Sequence, residues 1–141
     1  MDRTKLAAQL TVDEGRKSRM YLDNATPPRW TIGVGFNLSD RALPEPIIDA
    51  LLDWCIDNVQ HELDSALPWW RTMNDARQNA LANMAFQMGI DKLMKFKNTL
   101  VLLKSGRWEA AADEAMNSDW ARQTPNRAKR VTDMIRKGEF T

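Results

Sequence analysis

The sequence predicts an α+β protein that is mostly α-helical and carries a small β-sheet near its N-terminus. Residues 18–38 predict the sheet, because residues that favour strands are interrupted there by paired prolines and by two glycines. Beyond residue 44, apolar residues recur at the spacing of a helix, and glycines and prolines mark the helix ends. A length of 141 residues is typical of one domain.

The first predicted element is a helix over about residues 3–13, with Leu6 and Leu10 on one face. Gly15 follows at the position where glycine commonly ends a helix. Glu14 is therefore expected at the C-terminal end of this helix. The negative end of the helix dipole disfavours a further negative charge there, which suits a carboxyl group that must carry a proton.

The predicted sheet contains two short strands joined by a turn. Residues 20–22 favour the first strand and residues 30–34 favour the second. The two prolines within residues 24–28 cannot occupy a paired ladder, so this segment is predicted to be the turn. Asp23 is then expected at the end of the first strand, and Thr31 is expected on the second.

The rest of the chain is predicted to be helical. A long helix begins near the prolines at positions 44 and 46 and runs to about Ala66. A helix of this length directly after a small sheet is suited to joining two lobes. Four further helices are predicted from their apolar faces and end signals: Asp75–Met88, Thr99–Ser105 with Asn98 as N-cap, Trp108–Met116, and Pro125–Lys137 with Thr124 as N-cap.

The composition argues against several classes of protein. The single cysteine, Cys55, cannot form an intrachain disulfide and is expected to be buried. Because His61 is the one histidine, neither a zinc site nor a cysteine–histidine catalytic pair has support. No signal peptide or apolar membrane span is evident, so we expect synthesis in a cytoplasm. Residues 71–141 carry 13 Lys and Arg against 8 Asp and Glu, which fits an anionic polymer or simply a solvated helical surface.

Glu14, Asp23 and Thr31 are the candidate catalytic residues. Hydrolysis of a glycosidic bond requires one protonated carboxyl group and one ionised carboxylate. Glu14 at a helix end is the better proton donor, and Asp23 beside a solvated turn is the better base or electrostatic stabiliser. The Thr31 hydroxyl would help Asp23 to hold the attacking water. The separation of the two carboxyl groups decides between inversion and retention, and both outcomes remain open.

Three short motifs resemble the active-site signature of the phage-type lysozymes, the endolysins of tailed bacteriophages. These motifs are Asp13-Glu14-Gly15, Tyr21-Leu22-Asp23 and Thr31-Ile32-Gly33-Val34-Gly35. The resemblance continues in the same order through the C-terminal half, over residues 77–89, 96–103, 107–111, 118–120 and 123–131. It therefore covers nearly the whole chain.

The resemblance implies a two-lobed, lysozyme-like fold in a single domain, residues 1–141. In that fold, residues 13–43 form the sheet lobe and residues 44–66 form the linking helix. Residues 1–12 and 67–141 form the helical lobe, and the cleft lies between the lobes. The implied activity is hydrolysis of the β-1,4 bond between N-acetylmuramic acid and N-acetylglucosamine in peptidoglycan, with no cofactor or metal.

The same resemblance assigns roles to individual residues. Glu14 is the general acid, and Asp23 and Thr31 position the attacking water. Arg127 matches an arginine that pairs with the catalytic glutamate. The implied substrate-binding residues are Asn37, Phe86, Gln87, Thr99 and Glu114. Asn37 and Glu114 stand where the family has leucine and asparagine, so the sugar subsite at Glu114 is in doubt.

Bacterial peptidoglycan is the implied partner, and we expect a monomer that binds no nucleic acid and does not insert into a membrane. The protein would remain in the host cytoplasm until a holin-like pore releases it to the cell wall. Two alternatives stay open. One is a lytic transglycosylase, which closes the sugar onto itself, and the other is a catalytically impaired peptidoglycan-binding homologue. A role in host lysis and a role in a virion or prophage also remain open.

Overall fold

The computed structural model describes residues 1–141. It is an α+β structure, 64% helical, with one three-stranded antiparallel sheet, which confirms the predicted class. The helices are α1 Arg3–Glu14, α2 Glu45–Ala66, α3 Asp75–Met88, α4 Ile90–Leu93, α5 Lys97–Lys104, α6 Trp108–Met116, α7 Asp119–Gln123 and α8 Pro125–Lys137, with a 3-10 turn at Trp70–Thr72. The strands are β1 Lys17–Leu22, β2 Trp30–Gly33 and β3 Phe36–Asn37.

The chain divides into two compact units, Met1–Ala50 and Leu51–Thr141. The first unit contains α1, the sheet and the start of α2. The second contains the remainder of α2 and all later helices. The sequence assigned residues 1–12 to the helical lobe, whereas here they group with the sheet, since α1 is followed almost at once by β1. The arrangement of two lobes about a linking helix stays a prediction.

The three strands follow one another in the order β1-β2-β3, each antiparallel to the next. Thr31 on the central strand lies opposite Tyr21 of β1 and opposite Asn37 of β3. Gly33 and Gly35 both have a φ of +67°, which glycine adopts without steric cost. These two glycines allow the chain to turn between β2 and β3.

A hydrophobic core fills the second unit, and α3 is the helix most deeply embedded in it. Five residues of α3 are buried, which agrees with the apolar face predicted for this helix. From α2, only Val59 and Leu63 are buried. The apolar face predicted along α2 is otherwise exposed, at Ile47, Ile48, Leu51, Leu52 and Ile56. Cys55 is half-buried rather than buried, because it lies on the part of α2 that precedes the core residues.

The C-terminal end of α8 is bound to α3 through Arg77. Its guanidinium donates hydrogen bonds to the carbonyl oxygens of Ile135 (2.8 Å) and Arg136 (3.3 Å), and it stacks 4.2 Å from the ring centroid of Trp108. Gly138 lies so close that a Cβ there would be 2.6 Å from Arg77 Nη1. These contacts tie the last helix to the middle of the second unit.

One predicted helix start and one predicted side-chain cap need correction. Helix α5 begins at Lys97 with Phe96 in the N-cap position, so Asn98 is inside the helix and donates to Glu114 instead. Packing decides this start, because the Phe96 ring meets the buried Trp120 ring edge-on at 6.2 Å. Thr124 does precede α8, but its hydroxyl donates to the Trp120 carbonyl and does not cap α8.

Candidate active site

The carboxylate of Asp23 is fixed by the backbone of the turn that follows β1. The Asp23 amide donates to the carbonyl of Arg29 at 3.0 Å, which extends the β1–β2 ladder by one residue. Asp23 Oδ1 accepts the backbone N–H groups of Arg29 (2.9 Å) and Ala25 (3.0 Å). These two bonds lower the pKa of Asp23, because they stabilise its charged form, and the bond from Arg29 has the larger effect. Asp23 is therefore a carboxylate at neutral pH.

Thr31 is the one buried residue of the sheet, with 4% of its surface exposed. Its hydroxyl lies 3.4 Å from Asp23 Oδ2 and 3.3 Å from the Arg29 carbonyl, and both distances are long for a hydroxyl hydrogen bond. The turn thus saturates Oδ1, whereas Oδ2 has only this long contact. Oδ2 and the Thr31 hydroxyl are spaced so that one water molecule reaches both.

Glu14 is the last residue of α1, as the sequence predicts, and its side chain is exposed. Its side chain runs beside Gly35, where a Cβ would lie 3.0 Å from Glu14 Oε2 and 3.2 Å from Cδ. The absence of a side chain at residue 35 is what leaves room for this carboxyl group. Gly15, which follows Glu14, and Gly35 both have positive φ values, a backbone conformation that glycine adopts without steric cost.

Asn37 lies on β3 opposite Thr31, but its side chain is committed to the following turn. Its Oδ1 accepts the N–H groups of Ser39 (2.9 Å) and Asp40 (3.2 Å), and its Nδ2 donates to Asp40 Oδ2 at 2.9 Å. All three bonds stabilise the turn at residues 37–40. Contact between Asn37 and substrate stays a prediction.

In the second unit, three of the implied substrate-binding residues share one pocket of about 800 Å³. Gln87 accepts a hydrogen bond from the indole N–H of Trp120 at 2.8 Å, and Glu114 accepts one from Asn98 at 3.3 Å. Thr99 also lines this pocket although only 2% of its surface is exposed. The structure therefore brings Gln87, Thr99 and Glu114 together, and their roles remain to be tested.

The Thr99 hydroxyl is available to a ligand. It makes no hydrogen bond within the protein, and no fully covered side-chain polar atom lacks a partner. The small exposed part of Thr99 is accordingly its hydroxyl. Residues that the sequence did not single out also line this pocket. They include Trp120 and three lysines without an ion pair, Lys92, Lys95 and Lys97.

Phe86 and Arg127 line a different pocket of the second unit, of about 460 Å³. Phe86 is 47% exposed. Arg127 is fixed to α3, since its Nε donates to Asn83 Oδ1 at 2.8 Å and its Nη2 donates to the Asn83 carbonyl at 3.3 Å. The pairing of Arg127 with Glu14 and the substrate contact of Phe86 stay predictions.

No group of three or more His, Cys, Asp or Glu side chains is arranged to hold a metal ion. None of the helices combines the length and the apolar character needed to cross a membrane.

Comparison with known proteins decides the family. Residues 12–137 match the model of the phage lysozyme family. The chain belongs to that family. It is 31% identical over 158 residues to "Probable T4-type lysozyme 1" of Dictyostelium discoideum, with 92% of each chain covered. It is 30% identical to the "Pre-baseplate central spike protein Gp5" of Enterobacteria phage T4, covering 96% of this chain and 28% of that protein. It is 43% identical over 56 residues to the "Peptidoglycan hydrolase gp36" of Pseudomonas phage phiKMV, covering 40% of this chain and 6% of that protein.

As a phage lysozyme, the chain is a glycosidase. The family match confirms the resemblance drawn from the three N-terminal motifs and from the C-terminal segments. The chemistry of the first unit fits this class, since it contains an ionised carboxylate, an adjacent hydroxyl and a second, exposed carboxyl group.

Proposed function

We propose that this phage lysozyme hydrolyses the β-1,4 bond between N-acetylmuramic acid and N-acetylglucosamine in bacterial peptidoglycan. The observation that carries the proposal is the geometry of Asp23. The turn holds Oδ1 through two backbone N–H groups and leaves Oδ2 facing the hydroxyl of the buried Thr31. This arrangement suits a carboxylate that holds a water molecule and accepts its proton.

Glu14 serves as the general acid in this proposal. It is exposed at the end of α1, and its carboxyl group lies beside Gly35. Asp23 and Thr31 hold the water that attacks the sugar. A water nucleophile attacking opposite the leaving group inverts the anomeric centre, so a β-linked substrate yields an α-anomer as first product. The product anomer, followed by NMR during the first turnovers, tests this order of events.

The glycan is held by the pocket of Gln87, Thr99 and Glu114. The unpartnered Thr99 hydroxyl supports this role, as do the polar groups of Gln87 and Glu114, each already oriented by a hydrogen bond. Peptidoglycan as substrate is supported by the printed name of the phiKMV relative, a peptidoglycan hydrolase. Asn37, Phe86 and Arg127 complete the proposed site, with Arg127 as the partner of Glu14.

The decisive experiment is Glu14→Gln assayed on purified peptidoglycan. We expect lysis to be abolished while the far-UV circular dichroism and melting temperature stay unchanged, because glutamine keeps the shape but cannot donate the proton. Glu139→Gln, which alters an exposed glutamate outside the site, is the matched control and should remain active. Full activity in Glu14→Gln contradicts the assignment.

The ends of the cleavage products, and the fraction of protein that binds to peptidoglycan, distinguish the alternatives. Mass spectrometry showing reducing ends supports a hydrolase, whereas anhydro ends would identify a lytic transglycosylase. Binding to peptidoglycan without any cleavage would identify a catalytically impaired homologue.

The biological role that we favour is lysis of the host by a monomer released through a holin. A second role, in a virion, is supported by the printed name of the phage T4 relative, a pre-baseplate central spike protein. Expression in a bacterial cytoplasm with and without a co-expressed holin distinguishes the two. Lysis that depends on the holin supports the first role.

A further inference from the structure

Arg29 connects the two residues that hold the proposed water, and it does so through its main chain. Its N–H donates to Asp23 Oδ1 at 2.9 Å, and its carbonyl accepts from the Asp23 amide at 3.0 Å. The same carbonyl lies 3.3 Å from the Thr31 hydroxyl. A displacement of the backbone at residue 29 would therefore move the Asp23 carboxylate and the Thr31 hydroxyl together.

Residues 29 and 30 also make contacts on the side of β2 that faces β3, opposite to Asp23. Ser39 Oγ accepts the Trp30 N–H at 2.9 Å, and Arg29 Nε lies 3.2 Å from Asp40 Oδ2. The Leu38 N–H also donates to the Trp30 carbonyl at 2.7 Å, which continues the pairing of β2 with β3. Three contacts thus join residues 29–30 to residues 38–40.

The segment that makes these contacts is itself ordered by Asn37. The Asn37 amide binds the N–H groups of Ser39 and Asp40 and donates to Asp40 Oδ2. The same Asp40 oxygen therefore faces both the Asn37 amide and the Arg29 guanidinium. The turn at residues 37–40 is therefore closed by its own hydrogen bonds. It presents the Ser39 hydroxyl and the Asp40 carboxylate to Trp30 and Arg29.

From these contacts we infer that Ser39 and Asp40 are positioning residues, which hold the Asp23–Thr31 pair in place through the backbone of Arg29 and Trp30. The inference rests on the proposed function, because it assumes that Asp23 and Thr31 act on water. Neither Ser39 nor Asp40 touches the Asp23 carboxylate, so they act on it indirectly, through Arg29 and Trp30.

The expected effect is on catalysis more than on stability. The side chains of Arg29 and Asp40 are 47% and 56% exposed, and an ion pair in that setting adds little to the stability of a fold. Small displacements of a catalytic group are costly, however, because the reacting atoms must stay aligned. We expect the Ser39→Ala/Asp40→Asn variant to lose about five- to tenfold in kcat, with KM within about twofold of the parent.

Titration of the Asp23 carboxyl group, followed by its 13C NMR signal, gives a readout that is independent of turnover. The N–H of Arg29 is the largest influence that lowers the pKa of Asp23, and the Arg29 guanidinium is the charged side chain that acts on it. Ser39→Ala changes no charge and loosens the backbone at residues 29–30, which weakens that bond, so in this variant the titration midpoint of Asp23 should move to higher pH. A purely structural role for the turn would leave it unchanged.

The control is Lys129→Gln, which breaks another exposed ion pair, 2.7 Å long, between Lys129 and Asp133 on α8. It should change neither kcat nor the Asp23 titration. The single variants Ser39→Ala and Asp40→Asn should each give part of the effect, and Asp40→Glu should restore most of the activity.

An unchanged kcat in the double variant together with an unchanged Asp23 titration in Ser39→Ala overturns the inference. A fall in kcat that only follows loss of folded protein, with no shift of the titration, overturns it as well. If the parent protein does not cleave peptidoglycan, the proposed function fails, and the titration still decides whether the turn positions Asp23.

Discussion

Substitution of Gly35 by alanine tests the position of Glu14 directly. The new Cβ would lie 3.0 Å from Glu14 Oε2 and 3.2 Å from Cδ and Cγ. Ordinary van der Waals contact begins at about 3.4 Å, so the Glu14 side chain would have to move by a few tenths of an ångström or rotate away. A displacement of 1 Å at a catalytic group costs about 100-fold in rate, so a shift of about half that predicts a loss of roughly tenfold in kcat.

Gly33→Ala is the matched control. Gly33 has the same φ of +67°, but no atom lies within 4 Å of the Cβ that the substitution would add. Both variants should therefore lose about 1–2 kcal/mol of stability from the left-handed backbone conformation. Only Gly35→Ala adds the collision with Glu14.

The comparison requires two measurements on each variant, namely urea denaturation and initial rates of peptidoglycan cleavage. We expect similar losses of unfolding free energy in the two variants, with Gly33→Ala near parental kcat and Gly35→Ala about tenfold lower. Equal kcat values in the two variants would refute the reasoning, because the contact with Glu14 would then have no bearing on the reaction.

Two further substitutions test the second unit. Asp64 accepts hydrogen bonds from the Arg71 guanidinium and the Trp70 indole, and these bonds lower the pKa of Asp64 to about 2. The stability that the ionised Asp64 carboxylate adds is therefore present above about pH 4 and is lost as the pH falls towards 2. Asp64→Asn should therefore melt below the parent at pH 6, with the gap closing near pH 2, and a gap independent of pH would contradict this. Arg77→Met removes two bonds to α8 carbonyls and should lower the melting temperature by about 5–8 °C, whereas Arg107→Met should not.

Local signals predicted the longer helices well. The bounds of α3, α6 and α8 agree with the sequence analysis, because each combines an apolar face with a clear start or stop. The short helices α4 and α7 were not predicted, since four or five residues give no periodicity to detect. The Asn98 cap was wrong for a related reason, because the contact between Phe96 and Trp120 sets the start of α5 and joins residues far apart in the chain.

The candidate site was predicted in part. The prolines of the turn were sufficient to place Asp23 at a strand end and Thr31 on the next strand. The environment of Asp23 was not accessible from the sequence, because it depends on two backbone N–H groups brought round by the closed turn. Arg29 acts on Asp23 chiefly through its main chain, and no pattern of side chains reveals such a role.

The dependence of Asp23 on main-chain donors makes the turn at residues 24–28 a site where sequence variation is tolerated. Any amino acid with an N–H group at position 25 supplies one of the two bonds to Oδ1, whatever its side chain. Proline is the exception, because it has no such group. A library that randomises the exposed side chains of residues 24–28, excludes proline at position 25 and keeps Arg29 should therefore retain the carboxylate geometry, and it offers a route to altered wall specificity without disturbing the reaction centre.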